Sequence, residues 1–171
     1  LPASFRHLRK WLFGDWNHHG HYRIITQGLQ KTKGWNIMCG RFTSTASPEE
    51  LMRLFGVTVM DNLQPRWNLA PSQSAPVIVQ NGLQAEARLV SWGLPPAAEG
   101  RSFLINARME TETEKPTFRD SFATCRCIVP ASGWYEWSAP KTPWHVQLSD
   151  GGLMGFAGLL LRRGINDRFV I

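Results

Sequence analysis

A cysteine directly after a methionine opens the run Met38-Cys39-Gly40-Arg41-Phe42. Removal of Met38 and everything before it leaves Cys39 as the first residue, with a free α-amine beside its thiol. An internal backbone nitrogen is an unreactive amide, whereas a terminal amine has a pKa near ~8 and a thiol a pKa near ~8.5. Together they capture an aldehyde, first as an imine and then as a five-membered thiazolidine ring. The alternative, which this run alone favours, is that Cys39 is a small buried residue.

Glu136 lies between aromatic residues in the run Gly133-Trp134-Tyr135-Glu136-Trp137. On a strand it shares a face with Trp134, opposite Tyr135 and Trp137. A carboxylate against an indole ring is partly desolvated, which raises its pKa and suits it to proton transfer. The alternative is a glutamate on a solvated face, and spacing alone favours that interpretation.

Asn106 and Arg108 are polar residues directly after the apolar segment 103–105. Asn106 either orients an oxygen substituent of a ligand or caps a turn. Arg41 and Arg108 either bind phosphates or are ordinary surface charges.

Turn and capping signals predict a β-rich chain with short helices. Ser47-Pro48-Glu49-Glu50 is a capping box that begins a helix, which Gly56 ends. Asn81-Gly82 predicts a hairpin between strands 76–80 and 83–92, with Leu83, Ala85, Ala87 and Leu89 on one half-buried face. We expect a loop over 66–71, a short helix over 116–123, and further strands over 125–130, 134–138, 144–148, 153–161 and 168–171.

Charge and cysteine content restrict the class of protein. The formal net charge of +6 is uneven, because residues 1–37 carry six basic side chains against Asp15 and leave a net of +1 for residues 38–171. Nucleic-acid binding by the core therefore requires a local cluster of charge. The odd number of three cysteines does not suggest a disulfide framework and favours a reducing compartment. Cys125 and Cys127 are expected to be buried structural thiols.

Residues 1–37 differ from the rest of the chain. They contain four of the five histidines, no apolar signal-peptide core and no run of transmembrane length. We interpret them as a translated upstream extension outside the fold, with a propeptide as the alternative. His18-His19-Gly20-His21 is a polar tract without partner ligands, so no metal site is expected. Because Arg168–Ile171 is predicted as a strand entering the core, we expect the domain over 38–171 to be incomplete at its C-terminus.

The sequence resembles the SRAP family, the SOS-response-associated peptidase-like proteins that crosslink to abasic sites in DNA. The matching runs fall in family order and cover nearly all of residues 38–161. They are Met38-Cys39-Gly40-Arg41-Phe42, Arg66-Trp67-Asn68-Leu69-Ala70-Pro71, Trp92-Gly93-Leu94, Ile105-Asn106-Ala107-Arg108 through Glu110-Thr111, Glu114-Lys115-Pro116, Arg126-Cys127-Ile128-Val129-Pro130-Ala131-Ser132-Gly133 and Trp134-Tyr135-Glu136-Trp137.

The resemblance implies roles for several residues. Cys39 would form a thiazolidine with the ring-opened sugar aldehyde of an abasic site in single-stranded DNA, and would also remove the residues ahead of itself. Asn106 would hydrogen-bond the opened sugar, and Glu136 would assist proton transfers around the Cys39 amine. The implied DNA-binding residues are Arg41, Trp67, Asn68, Pro71 and Arg108.

Two departures from the family pattern affect this expectation. The family's catalytic histidine belongs to a later motif that this chain does not reach, and we do not transfer its role to His145, which lies on a predicted strand. The stretch Pro95-Pro96-Ala97-Ala98 also stands where relatives often place DNA-wedging tryptophans. Crosslink formation is expected to be slowed and its reversal impaired more.

These observations predict an α+β, β-rich single domain with a barrel-like or bifurcated antiparallel sheet flanked by short helices. The expected function is that of a cytoplasmic, monomeric sensor of abasic sites in single-stranded DNA, nucleoid-associated when bound to damage, with no cofactor and no membrane partner. Two alternatives remain open. One is a cysteine N-terminal-nucleophile peptidase or amidase that uses the same amine as its base. The other is a non-catalytic single-strand binding module in which Trp67 stacks on bases.

Overall fold

The computed structural model of the protein describes residues 39–57, 63–96, 98–108, 110–138, 142–162 and 166–171. The predicted extension, its histidine tract and Met38 lie outside these residues. Two short helices and nine strands are present in the described part: β1 (Phe42–Ser44), α1 (Pro48–Phe55), β2 (Arg66–Leu69), β3 (Ser74–Asn81), β4 (Gln84–Trp92), α2 (Arg119–Thr124), β5 (Arg126–Ala131), β6 (Gly133–Ser138), β7 (Thr142–Val146), β8 (Met154–Leu161) and β9 (Arg168–Val170).

Helix α1 begins and ends as its sequence predicts. The Ser47 hydroxyl accepts a hydrogen bond from the Glu50 amide at 3.2 Å, and the Glu50 carboxylate accepts one from the Ser47 amide at 3.0 Å. Two otherwise unpaired amides of the first turn are thereby satisfied. Gly56 ends the helix in the left-handed region, with φ of 65°. The capping box and the glycine stop are confirmed.

Five strands close into a barrel in the order β3-β4-β9-β8-β5, with β5 pairing back to β3. The predicted Asn81-Gly82 hairpin joins β3 to β4, and Gly82 takes a positive φ of 60° in the turn. Strand β9 lies antiparallel to β8 and parallel to β4. The last residues of the chain therefore lie inside the sheet, next to Trp92 at the end of β4.

A second sheet, of order β2-β1-β6-β7, branches from the barrel where β5 continues into β6. Ser132 lies between these two strands, and its amide donates to the Thr43 carbonyl of β1 at 2.9 Å. The α+β class with a barrel-like, bifurcated antiparallel sheet and short helices is confirmed. None of the helices in the described ranges is long and apolar enough to cross a membrane.

The barrel strands bury side chains on both faces, and the two faces supply two core clusters. The helix-side cluster includes Leu51, Leu54 and Phe55 of α1 together with Ile78, Ile128 and Leu159. The sheet-side cluster includes Phe42, Leu69 and Trp134 of the second sheet together with Val77, Val79, Trp92 and Phe169. Successive residues of one strand thus pack into different clusters.

This two-sided burial corrects the expected alternation along the second strand of the hairpin. Leu83 is 97% exposed and precedes β4, and Leu89 is also exposed, whereas Ala87, Val90 and Trp92 are buried. Ala87 belongs to the helix-side cluster, while Val90 and Trp92 belong to the sheet-side cluster. A single buried face therefore does not describe β4.

One further element prediction was wrong, and another was right in kind but not in its start. Residues 66–69 form strand β2 instead of a loop, because they pair with β1 along the edge of the second sheet. The helix expected over 116–123 begins only at Arg119. The turn before it is closed by the Lys115 carbonyl, which accepts the amides of Phe118 and Arg119, both at 2.9 Å.

Gly133, at the start of β6, leaves no space for a side chain. A Cβ atom there would lie 2.7 Å from the Val146 carbonyl oxygen and 2.5 Å from His145 Nε2. Because the carbonyl is backbone, Gly133→Ala must displace β7, and we expect a loss of about 2 kcal/mol in the free energy of unfolding. Urea denaturation measures this loss. Gly40→Ala is the matched control, since no atom lies within 4 Å of its added Cβ; equal stability of the two variants would contradict the prediction.

Glu112 is a buried carboxyl outside the candidate site, in the turn that precedes α2. Burial, and secondarily the charge of Glu110, raises its pKa from 4.5 to about 7. As pH rises from 4.5 to 7 the unfolded chain ionises here while the folded chain keeps its proton, so stability falls over that interval.

We therefore expect Glu112→Gln to stabilise the protein by about 1 kcal/mol at pH 8 and to have little effect at pH 4. This value is smaller than the free energy that corresponds to the whole pKa shift, because solvent screens the carboxylate charge. Thermal unfolding at the two pH values measures the difference. The exposed Glu114 supplies the control variant, Glu114→Gln. A stabilisation by Glu112→Gln that does not change with pH would exclude ionisation as its cause.

Candidate active site around Cys39

Cys39 is half-buried three residues before Phe42, where β1 begins, and it packs against the sheet-side cluster. Strand β1 is fixed by Phe42, whose ring contacts Trp92 edge-on at a centroid distance of 5.1 Å. The Cys39 Sγ donates to the Arg41 carbonyl at 3.5 Å. Burial, and then the nearby charge of Glu136, raises the pKa of the thiol from 9.0 to about 12. The sulfur is therefore a protonated thiol at neutral pH.

Asn106 is held beside Cys39 by the end of the chain. The Ile171 carbonyl accepts the Ala107 amide at 2.7 Å, and the Ile171 amide donates to the Ile105 carbonyl at 3.1 Å. The Trp92 indole also donates to that Ile105 carbonyl, at 3.0 Å. This fixed backbone directs the Asn106 amide group, whose Nδ2 donates to the Cys39 carbonyl at 3.3 Å.

Glu136 reaches the same region from strand β6. The residue is 8% exposed, and its Oε1 atom is buried with no hydrogen-bond partner in the part of the chain that the structure describes. Burial raises the pKa of this carboxyl, and the indole N–H of Trp134 on the same strand face partly offsets the rise. Its effect on the Cys39 pKa places the carboxylate within electrostatic range of the sulfur.

The fold thus brings together three residues that are far apart in the sequence. Cys39 offers a thiol, Asn106 an amide and Glu136 a carboxyl of raised pKa. A thiol beside a carboxyl that can accept and return a proton is an arrangement suited to nucleophilic chemistry with general acid–base assistance. The individual roles of the three residues stay predictions.

Three of the residues predicted to bind DNA lie close together: Trp67 and Asn68 on β2, and Arg41 directly before β1. Arg41 Nη1 donates to Asn68 Oδ1 at 3.1 Å, which joins the two strands at the surface. Trp67 is 68% exposed, and its carbonyl accepts from the Tyr135 hydroxyl at 3.0 Å. Two groups that could meet a nucleic acid, the guanidinium of the half-buried Arg41 and the exposed indole of Trp67, therefore lie side by side.

Pro71 and Arg108 complete the predicted set. Pro71 is half-buried two residues after β2, and Arg108 is exposed two residues after Asn106. No hydrogen bond joins Arg108 to Arg41 or Asn68 within the described ranges. Arg108 is thus placed beside the Cys39 region by its link to Asn106 and not by contact with the β1–β2 pair.

His145, to which we did not transfer the role of the family's catalytic histidine, lies on strand β7 and faces away from the Cys39 site. It pairs with Tyr135 across β6 and β7, and adjacent strand residues face opposite sides, so it points away from the face of Glu136. Its Nε2 lies 3.1 Å from the Thr43 hydroxyl. Ser132 and Thr45 extend this contact into a hydroxyl chain that the sequence did not indicate.

Trp134 is the residue of the site that sequence reasoning missed. Its placement on the face of Glu136 was predicted, but only as a desolvating ring. Its Nε1 is in fact a buried donor that lowers the pKa of the Glu136 carboxyl, although the contact between them falls outside ordinary hydrogen-bond geometry. The signal that could have indicated it is the Trp-x-Glu spacing, which places a donor and an acceptor on one strand face.

The chain belongs to the SOS response associated peptidase (SRAP) family, whose model matches residues 38–167. It is 38% identical over 133 residues to the abasic site processing protein YoaM of Bacillus subtilis (strain 168), covering 71% of this chain and 59% of that protein. It is 28% identical over 123 residues to the abasic site processing protein YedK of Escherichia coli (strain K12), covering 67% and 55% of the two chains.

The fold also matches a solved structure. A phage-related protein from Bordetella bronchiseptica superposes with a TM-score of 0.63 at 29% identity, covering 78% of this chain and 68% of that one. The chain thus spans rather more than half the length of the curated relatives it matches.

Proposed function

We propose that this chain processes abasic sites in single-stranded DNA by attaching itself covalently to the ring-opened sugar through Cys39, once Cys39 is the first residue. The observation that carries the proposal is the convergence of Cys39, Asn106 and Glu136 in one half-buried site. Membership of the SRAP family and the names of its relatives support the choice of DNA lesion.

The covalent step balances without a cofactor. The Cys39 amine adds to the sugar aldehyde, and loss of one water leaves an imine. The thiol then adds across the C=N bond, so that a C–S bond forms and the thiol proton passes to nitrogen. One aldehyde, one amine and one thiol give one thiazolidine and one water, with no change in oxidation state.

The state of the thiol sets the order of these steps. Burial and the charge of Glu136 raise the pKa of the Cys39 thiol to about 12 in the uncleaved chain. In this proposal the thiol keeps its proton while the amine forms the imine, so that ring closure needs a proton acceptor. Glu136 is the acceptor in this proposal, and it returns the proton to the ring nitrogen. Asn106 orients the opened sugar through its side-chain amide.

The DNA strand would follow the surface that carries the exposed groups. Arg41 and Arg108 meet phosphates flanking the lesion, and Trp67 stacks on a base, with Asn68 and Pro71 along the same path. Since stacking and phosphate contacts are largely independent of sequence, binding is expected to weaken with salt and to show little sequence preference.

The same cysteine would remove the residues ahead of it. In this proposal Cys39 Sγ attacks the carbonyl of residue 38, the peptide bond is exchanged for a thioester, and the Cys39 amine is released. Water then hydrolyses the thioester, which restores the thiol and frees the upstream peptide as a carboxylic acid. This step would supply the terminal amine that aldehyde capture requires.

A single preparation tests the proposal. The full chain is made with a protease recognition sequence directly before Cys39, folded, and then assayed with a single-stranded abasic oligonucleotide before and after cleavage. The cleaved protein should give a band that survives a denaturing gel. The uncleaved protein should give none unless it trims itself, which intact mass reports. Absence of a band after cleavage would refute covalent capture and leave non-covalent binding.

A further inference from the structure

A cavity opens at one end of the barrel, where β3 and β8 end and β5 begins, and no residue of the Cys39 site lines it. Its floor is apolar. Val79 and Leu160 of the sheet-side cluster form it together with Cys125, which packs against that cluster. The Leu160 amide donates to the Cys125 carbonyl at 2.7 Å, which fixes β8 against the start of β5. The mouth of a β-barrel is a common place for a ligand site.

Three arginines line this cavity: Arg88 of β4, Arg126 of β5 and Arg162, which directly follows β8. None of the lining residues that the structure describes is acidic. Arg126 is anchored, since its Nη1 donates to the Phe122 carbonyl at 3.0 Å. Arg162 makes no ion pair with a carboxylate of the described ranges. Because like charges in one hollow repel one another, an anion bound between them stabilises the arrangement.

A carboxylate outside the cavity neutralises only part of this charge. Glu86 forms an ion pair with Nε of Arg88, and its other oxygen accepts a hydrogen bond from the Asn81 amide at 2.8 Å. The pair engages a single nitrogen of the guanidinium, so the two terminal nitrogens of Arg88 can still donate to a ligand. Three guanidinium groups against one carboxylate leave the cavity positively charged.

The size of the cavity restricts the anion that fits. Its volume is about 90 Å³. One water molecule needs roughly 10–15 Å³ on this scale, so the cavity has space for roughly seven atoms of that size. A phosphate group, with one phosphorus and four oxygens, fits this space. A whole nucleotide does not, and only its phosphate could enter.

We propose that this cavity binds one terminal phosphoryl group, with the three arginines around its three free oxygens. The planar guanidinium group matches the spacing of phosphate oxygens and donates to two of them at once. A phosphodiester inside a strand has only two free oxygens and two chains that must leave the cavity, so it fits less well. The group is either inorganic phosphate or the 5′-phosphate at the end of a nucleic-acid strand. The inference does not depend on the proposed function.

The affinity of the uncleaved full chain for inorganic phosphate, measured by phosphorus NMR at constant ionic strength, tests the inference. Arg162→Gln should weaken binding about tenfold, as expected when a charged hydrogen-bond donor is lost. Arg101→Gln is the matched control, because Arg101 is exposed and does not line the cavity; it should bind like the native chain. No binding by the native chain would overturn the inference, and so would native affinity in Arg162→Gln.

Two dinucleotides that compete with inorganic phosphate for the native chain identify the source of the group. One carries a 5′-phosphate and the other ends in a 5′-hydroxyl. Tighter binding of the phosphorylated dinucleotide than of inorganic phosphate would assign the site to a strand end, and weaker binding would assign it to the free anion. Effective competition by the 5′-hydroxyl dinucleotide would show that an internal phosphodiester suffices and would overturn the inference. Neither experiment involves an abasic site, so failure here leaves covalent capture by Cys39 unaffected.

Discussion

Cys39→Ala is expected to abolish the denaturation-resistant crosslink, with a loss of at least ~100-fold in band intensity. The variant keeps a terminal amine and can still form an imine, but without sulfur the imine cannot close into a ring and is hydrolysed on denaturation. Borohydride added during the reaction should therefore trap the alanine variant with DNA. Denaturing gels with and without borohydride measure both outcomes.

Cys125→Ala is the matched control for this prediction. Cys125 is also a partly buried free cysteine that packs against the sheet-side cluster. It lies beside β5 and cannot supply an α-amine next to its thiol. Crosslinking should be unchanged in this variant. A crosslink of native intensity from Cys39→Ala would show that another residue is the nucleophile.

Glu136→Gln is expected to change two properties of Cys39 in opposite directions. Removing the carboxylate charge removes one cause of the raised thiol pKa, so the pKa should fall below about 12. Alkylation of the thiol by iodoacetamide at a fixed pH should then be about three- to tenfold faster, since each pKa unit is tenfold in thiolate fraction. Crosslinking should nevertheless slow by about a hundredfold, because the proton acceptor is lost.

Glu112→Gln provides the comparison for this pair of measurements. It removes a second buried carboxyl whose pKa is also raised but which lies in the turn before α2. Neither the alkylation rate nor the crosslinking rate should change. If Glu136→Gln sped up both reactions, Glu136 would act on Cys39 only through its charge and not as a proton acceptor.

Local signals predicted the elements whose structure depends on neighbouring residues. The Ser47 and Glu50 capping box, the Gly56 stop and the Asn81-Gly82 turn all form as expected, because each is closed by contacts within a few residues. The grouping of Asn106 and Glu136 with Cys39 was expected only from the family resemblance, because these residues come from segments that are joined by long-range pairing.

Features that depend on tertiary contacts could not be predicted in this way. Strand β2 forms because it pairs with β1. The run over 66–69 alternates polar and apolar residues, but four residues are too few to indicate a strand without that pairing. Leu89 is exposed although Ala87, two residues earlier on the same strand face, is buried in the helix-side cluster. The placement of Asn106 depends on the hydrogen bonds that its neighbours Ile105 and Ala107 make with Ile171, which is distant in sequence.

The indole of Trp134 illustrates a different limit of prediction from sequence. The sequence placed the ring on the correct strand face, but how its N–H lies against the neighbouring carboxyl depends on the surrounding structure. The N–H lowers the pKa of Glu136, although neither Nε1 nor the Oε1 atom of Glu136 has a partner within ordinary hydrogen-bond geometry among the described residues. This contact is visible only once the strands are assembled.

The most direct test of covalent capture by Cys39 is the mass of the adduct. Protein with Cys39 as its first residue is incubated with an abasic oligonucleotide, and the product is weighed intact and then mapped by proteolysis. The expected mass is that of protein plus oligonucleotide less one water, with the modification confined to the first residue. A mass equal to that of the free protein, or an adduct located on a lysine or an internal cysteine, would contradict capture by a terminal amine and thiol.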